Sequence, residues 1–218
     1  MEQFFEKYRE IPFKKGEVII QAEQEPDGIY YVKKGLVRMY SVSSEGKELT
    51  LNIYKPGSYF PLTWALGNTP NITYFEAMSD CLVVKAPKYK LIDYIKNNPR
   101  QLYDLSKRLS SGLGGISTQM TYLLFGKSFQ RVCFVLLTLA RRFGKEEKDL
   151  IKITIPFTHQ QIADYAALAR ETVSIEIEKL KKKKMIEYRS QKITILNINK
   201  LEDLALLKKE EIKPNSIG

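Results

Sequence analysis

The sequence predicts an α+β chain: an N-terminal antiparallel β-roll or jelly roll, a long helix, and a C-terminal winged helix-turn-helix. Three observations predict it. Short β-rich runs broken by turn residues fill the chain from Pro12 to about Pro87. Apolar residues recur at helical spacing from Pro99 to about Phe125, and a helix, turn, helix and hairpin pattern occupies Thr158 to Leu196.

The strand candidates are, in order, EVII, GIYYV, LVRMYSV, ELTLNIY and CLVVKAP, separated by PDG, KKG, SSEG and KPG. Glycines fall between the apolar runs, where a positive φ costs little and a tight corner can form. Strands of this length and spacing wrap around an apolar interior. Such a roll is either a packed core or a holder of one small ligand.

In the next segment Leu102, Leu105, Leu109, Leu113, Ile116, Met120 and Leu123 follow steps of 3, 4, 4, 3, 4 and 3, one stripe along a long helix. The stripe can pack on its own roll, pair with the same helix of a second subunit, or do both; a parallel homodimer through residues 99–126 is favoured. Gly112, Gly114 and Gly115 interrupt it, each at a cost of about 1 kcal/mol against alanine. They permit either close helix packing or a switchable bend. Gly126-Lys127-Ser128 reads as a helix stop followed by an N-cap, the hinge to the next part.

A helix from Phe129 to about Phe143 is followed by a charged turn, GKEEKD, and a short strand, LIKITIP. Thr158 and Gln161 then form a capping box that opens the next helix, with Ile162 and Tyr165 facing inward. After a turn at Ala166 to Leu168, a second helix starts near Ala169. It places Val173, Ile177 and Leu180 on one face and leaves Arg170, Glu171, Ser174 and Ile175 on the opposite one, free to enter a groove. MIEY and KITILN, joined through Arg189 to Gln191, complete the wing.

Charge agrees with that reading. Lys and Arg outnumber Asp and Glu 35 to 25 over 218 residues, a net +10. Residues 1–126 carry 16 basic and 13 acidic side chains, against 19 and 12 in 127–218, so the excess is C-terminal. An acidic partner follows, nucleic acid before anionic membrane; a solvated lysine surface is the plain alternative. No stretch approaches 18 apolar residues and the start, MEQFFEKYRE, is acidic, so a cytoplasmic chain without membrane association is expected. Cys81 and Cys133 have neither metal-ligand nor disulfide-framework spacing and read as buried thiols. The one histidine, His159, begins the helix-turn-helix and no carboxylate pair has supporting residues, which argues against an enzyme.

KKGEVII, PDGIYYVKKGLVRMY, EGKELTLNIYKPGSYF and EAMSDCLVVKAP resemble successive strands of a cyclic-nucleotide-binding-type sensor domain. T-H-Q-x-I-A-D-x, seven further residues and E-T-V-S closely resemble the DNA-binding signature of the Crp/Fnr transcription regulators. The resemblance implies a sensor domain at 1–98, a dimerisation helix at 99–126 and a DNA-binding domain at 127–218. It also implies a homodimer on a pseudo-palindromic double-stranded DNA site, and RNA polymerase as a partner. Arg170 and Glu171 are then base readers, since a guanidinium fork matches guanine and a carboxylate accepts from cytosine N4. Thr158, His159, Thr172, Ser174, Lys182 and Arg189 join them at the DNA: Thr172, Ser174 and the backbone near Thr158 contact phosphates, while Lys179 and Lys181 to Lys184 supply a diffuse field with one or two direct phosphate contacts. Ile175 stands where many members carry a second base-reading arginine, and Ala167 where the turn often has glycine; isoleucine can touch a thymine methyl instead.

The sensor departs further. The positions that hold ribose and cyclic phosphate in cyclic-nucleotide members read Pro61-Leu62 and Asn71-Ile72, so a buried phosphate would lack its arginine and backbone donors. A non-cyclic-nucleotide effector, uncharged or aromatic, is expected against Leu62, Thr63, Trp64, Asn71, Ile72, Thr73 and Tyr74, with Gln119 and Met120 reaching it from the long helix by resemblance. A collapsed, ligand-free roll is the other reading. Residues 1–30 contain no cysteine for an iron-sulfur cluster and the sensor region no histidine for haem, so no cofactor is expected.

Overall fold

The computed structural model describes residues 1–148 and 150–206. They divide into two compact units whose boundary falls between Gly114 and Gly115.

The first unit opens with α1 (Glu2–Phe5) and continues through β1 (Glu10–Phe13), β2 (Val18–Ile20), β3 (Ile29–Lys34), β4 (Val37–Val42), β5 (Glu48–Tyr54), β6 (Tyr59–Phe60), α2 (Leu62–Gly67), β7 (Tyr74–Ala77), β8 (Cys81–Ala86) and α3 (Lys88–Lys96). Two four-stranded antiparallel sheets result, ordered β1-β8-β3-β6 and β2-β7-β4-β5. Five of the expected strands are β2 to β5 and β8. The other three strands escape run-reading: β1 carries Pro12, tolerated because it is an edge strand, β6 has two residues, and β7 follows a loop.

Inside the roll the rings of Phe60 and Phe75 stack at 4.7 Å, with Tyr54 5.0 Å and Tyr30 5.7 Å from Phe60. A second cluster joins Phe4, Phe5, Tyr31, Tyr59, Trp64, Leu91, Ile95 and Leu105, so α1, α3 and the first turns of the long helix bury apolar faces against the sheet. Gly35 is required between β3 and β4: its φ is +85°, and a Cβ there would stand 2.4 Å from the Asp80 carbonyl oxygen.

The long helix, α4 (Pro99–Phe125), has a divided stripe. Leu105 is fully buried in the first unit, whereas Leu102, Leu109, Leu113, Ile116 and Met120 are 43–66% exposed. Apart from the adjoining residues and backbone of α4 itself, no heavy atom among the described residues lies within 4 Å of a Cβ placed on Gly112, Gly114 or Gly115. No helix among the described residues is long and apolar enough to cross a membrane.

The second unit contains α5 (Ser128–Phe143), β9 (Gly144–Glu147), β10 (Leu150–Ile153), α6 (His159–Ala166), α7 (Arg170–Lys182), β11 (Ile186–Arg189), β12 (Lys192–Ile195) and α8 (Ile198–Ala205). Its sheet runs β11-β12-β10-β9. The segment expected as a charged turn is β9, paired with β10 from Gly144↔Ile153 to Glu147↔Leu150. Its charge misled because β9 is an edge strand, where lysine and glutamate face solvent and discourage further pairing. The N-cap of α5 is Lys127, not Ser128: the Lys127 amide donates to Gln130 Oε1 at 2.9 Å, and the Ser128 hydroxyl is spent elsewhere. Both cysteines are buried, free thiols; burial pushes Cys133 up to about 12.

Candidate nucleic-acid interface

α6 starts where its chemistry dictates. Thr158 Oγ1 accepts from the Gln161 amide at 3.1 Å while Gln161 Oε1 accepts from the Thr158 amide at 2.9 Å, closing the capping box. Ile162 and Tyr165 are buried as expected, and the chain reverses at Ala167, which takes a left-handed φ of 51°. α7 then buries Val173, Ile177 and Leu180 completely. Arg170, Glu171 and Ile175 project from its other side into solvent, Ile175 being 57% exposed. The first two turns of α7 thus present a cation, an anion and an apolar group together, as a helix must to read base edges in a major groove.

The half-buried candidates support that surface. His159 Nδ1 lies 2.7 Å from Ser174 Oγ, which itself donates to the Arg170 carbonyl at 3.1 Å. With that hydroxyl proton committed, the Ser174 oxygen accepts from an Nδ1–H of the imidazole. His159 Nε2 is buried and has no hydrogen-bond partner among the described residues, and the ring lies 4.7 Å from Tyr188. Burial first, and the Arg170 charge second, lower the His159 pKa. The ring nitrogens of His159 therefore point at the protein, and the residue ties the start of α6 to the first turn of α7. Thr172 is half-buried beside them.

The wing is anchored from inside, the Tyr188 hydroxyl donating to the Phe157 carbonyl at 2.9 Å and the Phe157 amide to the Gln191 carbonyl at 2.8 Å. Ser190 and Gln191 turn the hairpin with φ of 48° and 65°, next to the exposed Arg189. Of the lysines, Lys179 and Lys181 pair with Glu176 and Glu178, while Lys182, Lys183 and Lys184 stand exposed. Sequence reasoning missed Glu176, a carboxylate buried on the inner side of α7. Its place four residues before Leu180 and three after Val173 was the available signal.

The effector candidates fall in three places. Trp64 is buried and Leu62 partly buried in the cluster under α1 and α3, Trp64 with the Lys88 ammonium 4.5 Å over its ring; Thr63 between them is exposed. Asn71, Ile72 and Thr73 form one loop. There Asn71 Nδ2 donates to the Gln21 and Thr73 carbonyls at 2.8 and 3.0 Å and the Thr73 hydroxyl to Asn71 Oδ1 at 3.2 Å, while Ile72 is 72% exposed. Tyr74 stacks on Tyr40 at 5.2 Å. Gln119 and Met120 belong to the second unit, where buried Gln119 donates to the Tyr165 carbonyl at 3.4 Å and Met120 is exposed. The Asn71 amide is thus committed to the Gln21 and Thr73 carbonyls, and Ile72 offers no donor from its side chain.

A two-sheet roll followed by a winged helix-turn-helix with a charged, solvent-facing second helix defines a DNA-binding regulator. Residues 10–98 match the family profile described as a cyclic nucleotide-binding domain, and residues 130–204 that of a Crp-like helix-turn-helix domain. The transcriptional regulator SdrP of Thermus thermophilus is 30% identical over 198 residues, covering 89% of this chain and 93% of its own. The fumarate and nitrate reduction regulatory protein of Escherichia coli is 22% identical over 197 residues, 90% and 78% of the two chains. A Crp/Fnr-family regulator from Thermus thermophilus aligns structurally with a TM-score of 0.71 at 29% identity, over 90% of this chain and 98% of that one. A CooA variant from Carboxydothermus hydrogenoformans shares the fold, with a TM-score of 0.80 at 22% identity over 94% and 90%. The chain belongs to the Crp/Fnr family of transcriptional regulators, with a sensor-type domain and a helix-turn-helix DNA-binding domain.

Proposed function

We propose that the protein is a homodimeric, sequence-specific regulator that grips a pseudo-palindromic operator with half-sites about 10 base pairs apart, one per winged helix-turn-helix. In this reading residues 1–98 are the effector domain, 99–126 the dimerisation helix and 127–218 the DNA-binding domain. Arg170 and Glu171 read bases, Ile175 meets a thymine methyl, and Thr158, Thr172, Lys182 and Arg189 lie against phosphates, while Ser174, its hydroxyl committed to His159 and the Arg170 carbonyl, supports the helix from behind. The observation that carries it is the first two turns of α7, where the reading side chains are exposed while the opposite side is fully buried. The exposed part of the α4 stripe, and the open space beside its glycines, favour pairing of that helix with a second copy. RNA polymerase is the further partner that the family suggests.

The test compares two substitutions on a selected operator. Arg170→Ala costs about 1 to 3 kcal/mol there and relaxes the sequence preference at one base pair. Lys182→Ala weakens binding to all duplexes alike and makes the salt dependence shallower, because it removes a phosphate contact. Indistinguishable isotherms for Arg170→Ala and the parent protein reject the assignment.

For the sensor, an uncharged or aromatic effector near the 71–74 loop is one reading. The stacked Phe60, Phe75, Tyr54 and Tyr30 rings favour a second, in which side chains fill the roll and the regulator is competent without an effector. Any effector acts only by binding two arrangements of the winged helices with different affinity.

A further inference from the structure

Glu176 lies on α7 opposite the reading side chains and is only 4% exposed. Burying a carboxylate costs several kcal/mol unless partners compensate it, and an apolar residue would fill such a site more cheaply. Its compensation comes from one hydrogen bond and one ion pair. The Ser128 hydroxyl donates to Glu176 Oε1 at 2.8 Å. Lys179 Nζ stands 3.0 Å from Oε2 as an ion pair, although no donor among the described residues completes a hydrogen bond to that oxygen. Ser128 is the first residue of α5, two positions after Gly126, whose carbonyl is held by Arg131 Nε at 2.8 Å. The positive end of the 16-residue helix α5 further favours an anion at its first turn. The thiol of Cys133, on the same helix, feels the Glu176 charge from its buried position. From Glu176 to Arg170 is six residues, about 9 Å along one rigid helix.

We infer that Glu176 is a positioning residue: clasped by Ser128, it fastens the reading helix to the segment leaving α4, so that a shift of that segment is delivered to Arg170 and Glu171. The inference rests on the reading of α7 as the base-reading helix. A buried carboxylate is satisfied only where its partner stands, so the Ser128 hydrogen bond sets the register of α7 against the start of α5 as apolar packing alone would not.

The experiment uses the full chain carrying Ser128→Ala, Ser128→Thr, Glu176→Gln, Glu176→Leu or the pair Ser128→Ala/Glu176→Gln, with Arg170→Ala as control. The measurements are affinity for a selected operator, affinity for a scrambled duplex, and amide hydrogen exchange without DNA. Ser128→Ala and Glu176→Gln each lower the operator-to-scrambled ratio about tenfold, the pair is no worse than either, and Ser128→Thr keeps the parent ratio. Glu176→Leu melts no lower than the parent yet loses discrimination, an outcome that a merely structural carboxylate would not give. Exchange rises at residues 128–131 and 170–177 together in Glu176→Gln. Unchanged ratios beside a strong Arg170→Ala loss, additive losses in the pair, or exchange confined to one helix overturn the clasp. If Arg170→Ala is also silent, the reading-helix assignment fails, and the exchange result alone decides whether the clasp exists.

Discussion

Ala167 holds the left-handed corner between α6 and α7 at a φ of 51°, where a side chain is strained and glycine is not. Ala167→Gly therefore raises stability by about 1 kcal/mol in a denaturant melt, with DNA affinity unchanged; a loss of stability would mean the corner is unstrained. His159, the one histidine of the chain, gives a second residue-scale prediction. Its folded pKa is lowered, by burial and then by Arg170, whereas in the unfolded chain it titrates near its ordinary value of 6.5. As pH falls below that value the unfolded state takes up a proton that the folded ring refuses. The stability His159 contributes is thus complete above its unfolded pKa and lost as pH falls through the folded one. Melting temperatures between about pH 8 and about pH 5 should fall more steeply for the parent than for His159→Gln, and parallel curves would contradict this. The Thr158–Gln161 box was legible in sequence because both partners lie within one turn. The Ser174–His159 and Glu176–Ser128 contacts were not, since each depends on a residue brought from 15 or 48 positions away.

At the scale of elements, period decided what could be read. α7 and α4 announce themselves by apolar spacing, and their observed spans, Arg170–Lys182 and Pro99–Phe125, follow it closely. What spacing could not say is that Leu105 turns into its own unit while Leu109 and Leu113 stay exposed, because that depends on where the roll lies under the helix. β9 and the two-residue β6 were illegible for another reason: each is defined by the strand it pairs with and not by its own composition. The exposed stripe yields a prediction of its own. Leu113, 66% exposed, contributes little to the protomer's core, so Leu113→Glu should leave the protomer's circular dichroism unchanged while converting a dimer to a monomer in sedimentation equilibrium. A parent that is already monomeric, or a variant that keeps the parent's dimeric mass, would contradict pairing through this stripe.

For the molecule as a whole, the sequence places most of the basic excess in the half that carries the helix-turn-helix, and the structure gives that half a charged, solvent-facing α7 and exposed Lys182, Lys183 and Lys184. Under the proposed function, long-range attraction to phosphates and local reading of bases are separate tasks of one unit, the first erased by salt and the second not. The sensor half was legible as a roll but not in its interior, where four aromatic rings meet from four strands, β3, β5, β6 and β7. Selecting bound duplexes from a random pool with the purified protein tests the central claim most directly. Enrichment of a two-fold repeat whose halves are about 10 base pairs apart is the predicted result. Recovery of no common sequence, or of one unrepeated element, would contradict it.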